Sequence, residues 1–301
     1  MIYFGAICMA ETHLVIVGTS VLRNGLKELG SPEAASCPGG GSAARCSDLV
    51  AACADPQRLD RERCKALQGD EECLGLLTCL ASKSPFRMSA ELNAMDWVVK
   101  DKCGDVRRIV LFASDTPEGR AAADVLSRFL GAECPGVEVV AEIVTGLGGE
   151  FWPGLLNLTR SLARWARRAF YRDNDIVYLN ATGGFKPEAG MAILAAMLAA
   201  PVVPYYKHEA MKETVILPQI PLRVDEGRLR VLIGQLLNIA KKNAKIRLSD
   251  PNLSEVRWVL IYLAKMGVLR RLGGETYEVT ERAEEILNLL AQIYEELVVK
   301  P

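Results

Sequence analysis

The stretch DIVYLNATGGFKPE, residues 175–188, is a short apolar run that breaks into a small polar loop with paired glycines and reopens with a proline. Asp175–Leu179 reads as a strand. Pro187 reads as a helix start, because proline lacks the N–H that a first helical turn leaves unbonded anyway. Outward from this unit, further apolar runs at His13–Val17, Arg108–Ala113, Val137–Val144 and Val202–Tyr206 read as strands. Helical stretches at Phe86–Lys100, Pro117–Leu130, Gly154–Tyr171 and Pro187–Ala200 separate them. Alternation of this kind predicts the α/β class, a Rossmann-like parallel sheet with crossover helices.

The 301 residues are 50% hydrophobic and 24% charged, an ordinary globular composition that excludes disordered and fibrous chains. Thirty-six Lys and Arg face 37 Asp and Glu, for a net charge of −1. No whole-molecule field therefore draws the protein to nucleic acid or acidic lipid, and any anion site must be local. The longest apolar runs, Met1–Ala10 and Met191–Val203, fall short of the ~18 residues that suggest a membrane span. The first run also lacks a basic n-region and a small-residue cleavage site, so a cytoplasmic protein without membrane contact is expected.

Between residues 31 and 84 the alternation stops. A Pro38-Gly39-Gly40-Gly41 loop and six of the nine cysteines (Cys37, Cys46, Cys53, Cys64, Cys73, Cys79) mark a Cys-rich insertion of short helical pieces. No C-x-x-C pair occurs, and both histidines, His13 and His208, lie outside the cluster, which argues against zinc. Reduced buried thiols and disulfides both remain open, intracellular disulfides being a trait of hyperthermophiles, and sequence cannot choose the pairing.

After residue 222 the composition shifts to a second domain, 223–301. Helices are expected at Val231–Lys242 and Leu253–Lys265, then short strands on either side of a Gly273-Gly274 turn, then a last amphipathic helix. That order suggests a winged helix-turn-helix. From Arg228 to Arg271 ten basic residues stand against Asp250 and Glu255. Such a stripe could hold DNA phosphates, or it could be a solvated helix face or a dimerisation surface.

Ligands of open parallel sheets bind beyond the carboxyl ends of the strands, so the loops there carry the chemistry. They are Gly18-Thr19-Ser20 with Arg23 and Asn24, Ser114-Asp115-Thr116, and Asn180-Ala181-Thr182-Gly183-Gly184-Phe185-Lys186. The last reads as an anion cradle: glycines admit a phosphate close to the backbone, the following helix offers its positive end, and Lys186 adds a full charge. A plain helix-capping turn with a solvated lysine is the alternative. Pro187 stands where a Walker loop needs Ser or Thr, which disfavours magnesium nucleotide chemistry. Gly146-Leu147-Gly148-Gly149 fails the dinucleotide fingerprint, because Phe151 or Pro153 falls at the third glycine. G-x-S-x-G is absent, and no arginine lies four to seven residues ahead of either histidine, which removes the signature of a common metal-independent ribonuclease domain. Arg160, Arg164, Arg167 and Arg168 form a polar face on the helix Gly154–Tyr171 that is either solvated or reaches a ligand or partner.

The motifs VGTSVLRN (17–24), SAELNAM (89–95), LFASDTPEG (111–119), LNATGGFKPE (179–188) and YYKHEAMKETVILPQIPL (205–222) occur in the order found in archaeal CRISPR-associated proteins built on a CARF domain. The chain resembles that family, and within it the branch of stand-alone ring nucleases. The resemblance spans about His13 to Leu222 apart from the insertion.

It implies a homodimer that binds cyclic tetra-adenylate across its two-fold axis and cuts it without metal or cofactor. The ribose 2′-hydroxyl would attack the adjacent phosphate and leave a 2′,3′-cyclic phosphate end. On this sequence the resemblance assigns Ser20 to orienting the ribose and Lys186 to the transition-state phosphate. Gly18, Thr19, Gly183 and Gly184 would cradle the ring, with Arg23, Asn24, Asn180 and Thr182 as further contacts. No general base is evident, so turnover is expected to be slow. A second expectation is a regulator that binds the ring uncut and acts on DNA through the winged helix. A third is a generic nucleotide enzyme, which saturable NAD binding would revive.

Overall fold

The computed structural model describes residues 9–54, 59–208, 210–218 and 225–298. The chain divides into two compact units, Met1–Pro221 and Leu222–Pro301. The boundary expected between residues 222 and 223 lies outside the described residues, as do Glu209 and residues 219–222 of the last motif.

The first unit is mixed α/β. Its strands are β1 (Glu11–Ile16), β2 (Val106–Ser114), β3 (Glu138–Val144), β4 (Ile176–Asn180), β5 (Val202–Tyr206) and β6 (Val215–Ile216), in the order β3-β2-β1-β4-β5-β6. The first five are parallel, and β6 runs antiparallel to β5. β6 was not legible: two residues are too few for any periodicity. Because successive side chains of a strand alternate, the central strand feeds two cores at once. Leu14 and Ile16 of β1 join the core beneath the helices Phe151–Arg167 and Lys186–Ala199. Val15 joins the core beneath the helices Ser20–Glu28 and Pro117–Glu133. The strand order reverses between β1 and β4, and the helices that follow the two strands pack on opposite faces, which makes this rim the switch point where open parallel sheets hold ligands in a crevice.

The single helix expected at Phe86–Lys100 is three, Pro85–Met88, Ala90–Ala94 and Asp96–Lys100. Ser89 breaks it by taking extended backbone (φ −137°, ψ 133°), and its hydroxyl accepts the Leu92 N–H at 3.2 Å. Serine competes with the helix for backbone hydrogen bonds and caps the next one, which a reading of apolar periodicity overlooks. The expected helix Gly154–Tyr171 starts earlier, at Phe151, and passes at Arg168 into a wider turn.

The insertion is helical and sits in the core. Its main helices are Ala43–Ala54, Arg61–Gln68 and Glu71–Lys83, and Leu67, Leu74, Leu77 and Leu80 are buried in one cluster with Val21 and Leu22. The helix Ser20–Glu28 lies so close to it that a Cβ on Gly25 would come within 2.6 Å of the Leu77 side chain. Of the two open states of the cysteines, the structure shows disulfides: Cys37–Cys79, Cys46–Cys73 and Cys53–Cys64, nested one inside the next. Cys46 and Cys53 stand two turns apart on one helix and so share a face. A fourth bond, Cys103–Cys134, joins two cysteines outside the cluster.

In the second unit the helix Glu226–Ile239 is followed by β7 (Lys245–Arg247), a turn at Pro251–Leu253, the helix Arg257–Lys265, β8 (Leu269–Gly273), β9 (Thr276–Val279) and the helix Glu281–Val298. The strands form an antiparallel sheet in the order β7-β9-β8, with Gly274 at positive φ in the tight turn. The first helix begins earlier than its apolar pattern because the Asp225 side chain caps it, accepting the Arg228 N–H at 3.0 Å. The expected helix Leu253–Lys265 starts only at Arg257, since Asp250 caps a separate short turn ahead of it. Among the described residues no helix is long and apolar enough to cross a membrane.

Candidate functional site

Two loops meet at the switch point, residues 17–20 after β1 and 181–186 after β4. Their glycines serve contact between backbones as much as conformation. A Cβ on Gly183 would lie 2.3 Å from the Ile16 carbonyl oxygen, 2.4 Å from Glu91 Oε1 and 3.0 Å from the Gly18 nitrogen. One on Gly18 would lie 3.0 Å from the Gly184 nitrogen. Gly184 holds φ at +77°, where L side chains are strained. Gly183→Ala must therefore push main chain apart on both sides, at the upper end of the about 1–3 kcal/mol that over-packing costs. We expect its Tm to fall by roughly 5–10 °C. Gly190→Ala, with open space around the new methyl, should leave Tm unchanged or slightly raised; equal melting of the two variants would contradict this packing.

Behind the loops lies a residue that the sequence reading left without a role. Glu91 is 1% exposed, and its carboxyl group accepts three hydrogen bonds. The Gly18 N–H donates to Oε1 at 2.8 Å, and the Ser20 and Ser89 hydroxyls each donate to Oε2 at 2.6 Å. The Ser20 oxygen also accepts the Ala90 N–H at 3.0 Å. The broken helix is what turns Glu91 inward, since in a continuous helix the segment would carry it on a different face. Its sequence signal was the Ser89-x-Glu91 spacing, which reads equally well as an ordinary helix start.

Asn180 is fully buried between the same elements, donating to the Glu91 carbonyl oxygen at 2.9 Å and accepting the Thr182 N–H at 3.1 Å. The Thr182 hydroxyl accepts the Lys207 N–H at 3.2 Å. Buried Lys207 reaches the Asn93 carbonyl at 3.1 Å and Asp96 at 3.4 Å, which fastens β5 to the SAELNAM segment. Asn180, Thr182, Gly18 and Gly183 thus build the frame. Thr19 and Ser20 are half-buried at the rim, Arg23 and Gly184 are exposed, and Asn24 is half-buried with its amide on the Met88 carbonyl at 3.4 Å.

Lys186 is exposed at the first position of the helix Lys186–Ala199 and has no hydrogen-bond or ion-pair partner among the described residues. A cation at a helix N-terminus opposes the helix dipole, an unfavourable placement that a bound anion would reverse. The carboxyl expected by the dipole is also present, but inside. Glu188 accepts the Phe185 N–H at 3.2 Å, and burial pushes its carboxyl group above the usual range. The helix Ser20–Glu28 points its own N-terminus at the same crevice. The crevice can therefore hold an anion between two helix ends and one lysine.

Other candidates lie elsewhere or are engaged. His13 is wholly buried in β1, stacked on Tyr178 at 4.9 Å, and burial lowers its pKa. His208 is exposed and accepts the Ala210 N–H. Arg164 pairs with Glu142, and Arg168 pairs with Asp173 while lying over Trp165. In the second rim loop the Ser114 and Thr116 hydroxyls bond each other at 2.8 Å, and Asp115 holds the Gly146 N–H at 3.1 Å.

Residues 86–220 match the model of the family described as CRISPR-associated protein (Cas_APE2256). The matched span runs from the broken helix to the far edge of the sheet and includes Glu91, the glycine pair and Lys186. The similarity supports a CRISPR-associated protein.

Proposed function

We propose that the protein is a ring nuclease of CRISPR-associated signalling, built on a CARF domain, which binds cyclic tetra-adenylate at the switch-point crevice and cuts it slowly without metal. The observation that carries this reading is Lys186, without a partner among the described residues, at the N-terminus of the helix that follows β4, on the same sheet rim as Ser20. A phosphodiester is the anion such a site suits, and charge that grows on its oxygens during attack is what a nearby ammonium stabilises. Ser20 orients the ribose so that its 2′-hydroxyl lies in line with the phosphate. Thr19 and Gly184 border the same opening.

A ring with two-fold symmetry suits a homodimer with an isologous interface. The helix Lys186–Ala199 supports one. It carries no charge between residues 189 and 199 and leaves Leu194 48% exposed, while β6 beyond it shows Val215 and Ile216 to solvent. To test the function, the purified protein is incubated with cyclic tetra-adenylate in EDTA, and products are followed by liquid chromatography and mass spectrometry. Linear di-adenylate with a cyclic phosphate end is expected. Ligand that is retained intact would favour a sensor.

The second reading is that sensor, acting on DNA through the second unit, whose element order fits a winged helix. Lys241, Lys245, Arg247, Lys265 and Arg271 are exposed there. Arg228, Arg230, Lys242 and Arg270 instead pair with Asp225, Glu226, Glu281 and Glu278, and the helix Arg257–Lys265 exposes Trp258, Ile261 and Tyr262. Ring-dependent retardation of a DNA duplex would favour this reading.

A further inference from the structure

Resting on the ring-nuclease reading, we infer that Glu91 is the hidden proton acceptor of the reaction and works through Ser20 as a positioning residue. The inference comes from counting hydrogens at the Ser20 oxygen. A serine hydroxyl has one hydrogen and two lone pairs. Its hydrogen goes to Glu91 Oε2 at 2.6 Å, and one lone pair takes the Ala90 N–H at 3.0 Å. What remains toward the crevice is a single lone pair. In this arrangement Ser20 cannot donate to a phosphate, and it can only accept. The group of a nucleotide that offers it a hydrogen is a ribose hydroxyl.

The remaining bonds fix that direction. Ser89 has its lone pair on the Leu92 N–H at 3.2 Å and donates its hydrogen to Glu91 at 2.6 Å, and the Gly18 N–H donates to the other carboxyl oxygen. All three neighbours therefore donate to Glu91, and the group is arranged as an acceptor. At 1% exposure it is closed to solvent, so a proton reaches it most directly along the Ser20 hydroxyl.

The step balances as follows. The 2′-oxygen bonds to phosphorus as its proton passes to the Ser20 oxygen, and the Ser20 proton passes to Glu91. The bond from phosphorus to the 5′-oxygen of the next nucleotide breaks, and that oxygen takes a proton from water. The hydroxide left behind is neutralised when Glu91 releases its proton. A 2′,3′-cyclic phosphate forms, and no oxidant, metal or second substrate is consumed.

The test compares the full chain with its Glu91→Gln variant. Single-turnover cleavage of cyclic tetra-adenylate is measured at pH 7.5, with ring affinity measured by calorimetry at the same pH. Glu91→Gln should bind the ring within about threefold of wild type and cleave about a hundredfold more slowly. Glu91→Asp, which keeps a carboxylate at that position, should recover part of the lost rate, which guards against a glutamine variant that misfolds.

Glu91→Gln cleaving at the wild-type rate would overturn the relay, as would Glu91→Asp cleaving no faster than Glu91→Gln while both bind the ring as wild type does. Parallel loss of binding and cleavage in both variants would make Glu91 purely structural and overturn it too. Wild type that binds the ring and leaves it intact overturns the relay together with the nuclease reading.

Discussion

Lys186→Ala is expected to slow cleavage of cyclic tetra-adenylate by about a hundredfold to a thousandfold, the usual effect of removing one donor from a developing oxyanion. Its fold should survive intact. The side chain is exposed and has no partner among the described residues, so nothing in the protein is left unsatisfied when it goes. Removing a cation from the N-terminal turn should even stabilise the helix by a few tenths of a kcal/mol. Activity and melting temperature are thus predicted to move in opposite directions, which a damaged fold cannot produce. Single-turnover kinetics and calorimetry on the same preparation test this. Cleavage at the wild-type rate would remove Lys186 from the active site. If wild type does not cleave, and the variant only loses affinity, the lysine is a contact of a sensor.

Removing one nested disulfide is the second large effect expected. A cross-link that closes a loop contributes about 2–4 kcal/mol, chiefly by restricting the unfolded chain, and whole-domain stabilities are only about 5–15 kcal/mol. Cys46 and Cys73 are 27 residues apart in sequence and fully buried, so a reductant reaches the bond slowly in the native state. The cleaner comparison is the double variant Cys46→Ala with Cys73→Ala. A loss of about 3 kcal/mol lowers Tm by roughly 6–12 °C in a unit of this size.

The consequence reaches the site, because the helix that begins at Ser20 packs on the insertion through Gly25 and Leu77. We expect ring binding to weaken at temperatures where the wild type is still fully bound. Unchanged melting, with free thiols titrated in the wild-type protein, would show that the bond does not form.

Much of the fold was legible because each of the five parallel strands is a short apolar run, and β2, β3 and β4 are each followed by a clear helix. β5 was read with its observed ends, and the other four differ by one or two residues, β3 at one terminus and β1, β2 and β4 at both, as strand ends do when pairing partners decide them. Ser20 and Lys186 could be picked out because residues just past a strand in a parallel sheet share one rim. The segment at 86–100 was misread because apolar periodicity is blind to a single serine that prefers to cap rather than continue a helix.

The sequence by itself therefore determined the α/β class, the rim loops and the glycines that let them meet, since these follow from local periodicity and from what glycine and proline permit. Only the tertiary structure decided that Glu91 lies behind Ser20, 71 residues away along the chain, and that the cysteines nest in pairs. The reason is physical. A hydrogen bond or disulfide between distant residues leaves no local pattern, and its partner is chosen by which surfaces the packed sheet and helices bring into contact.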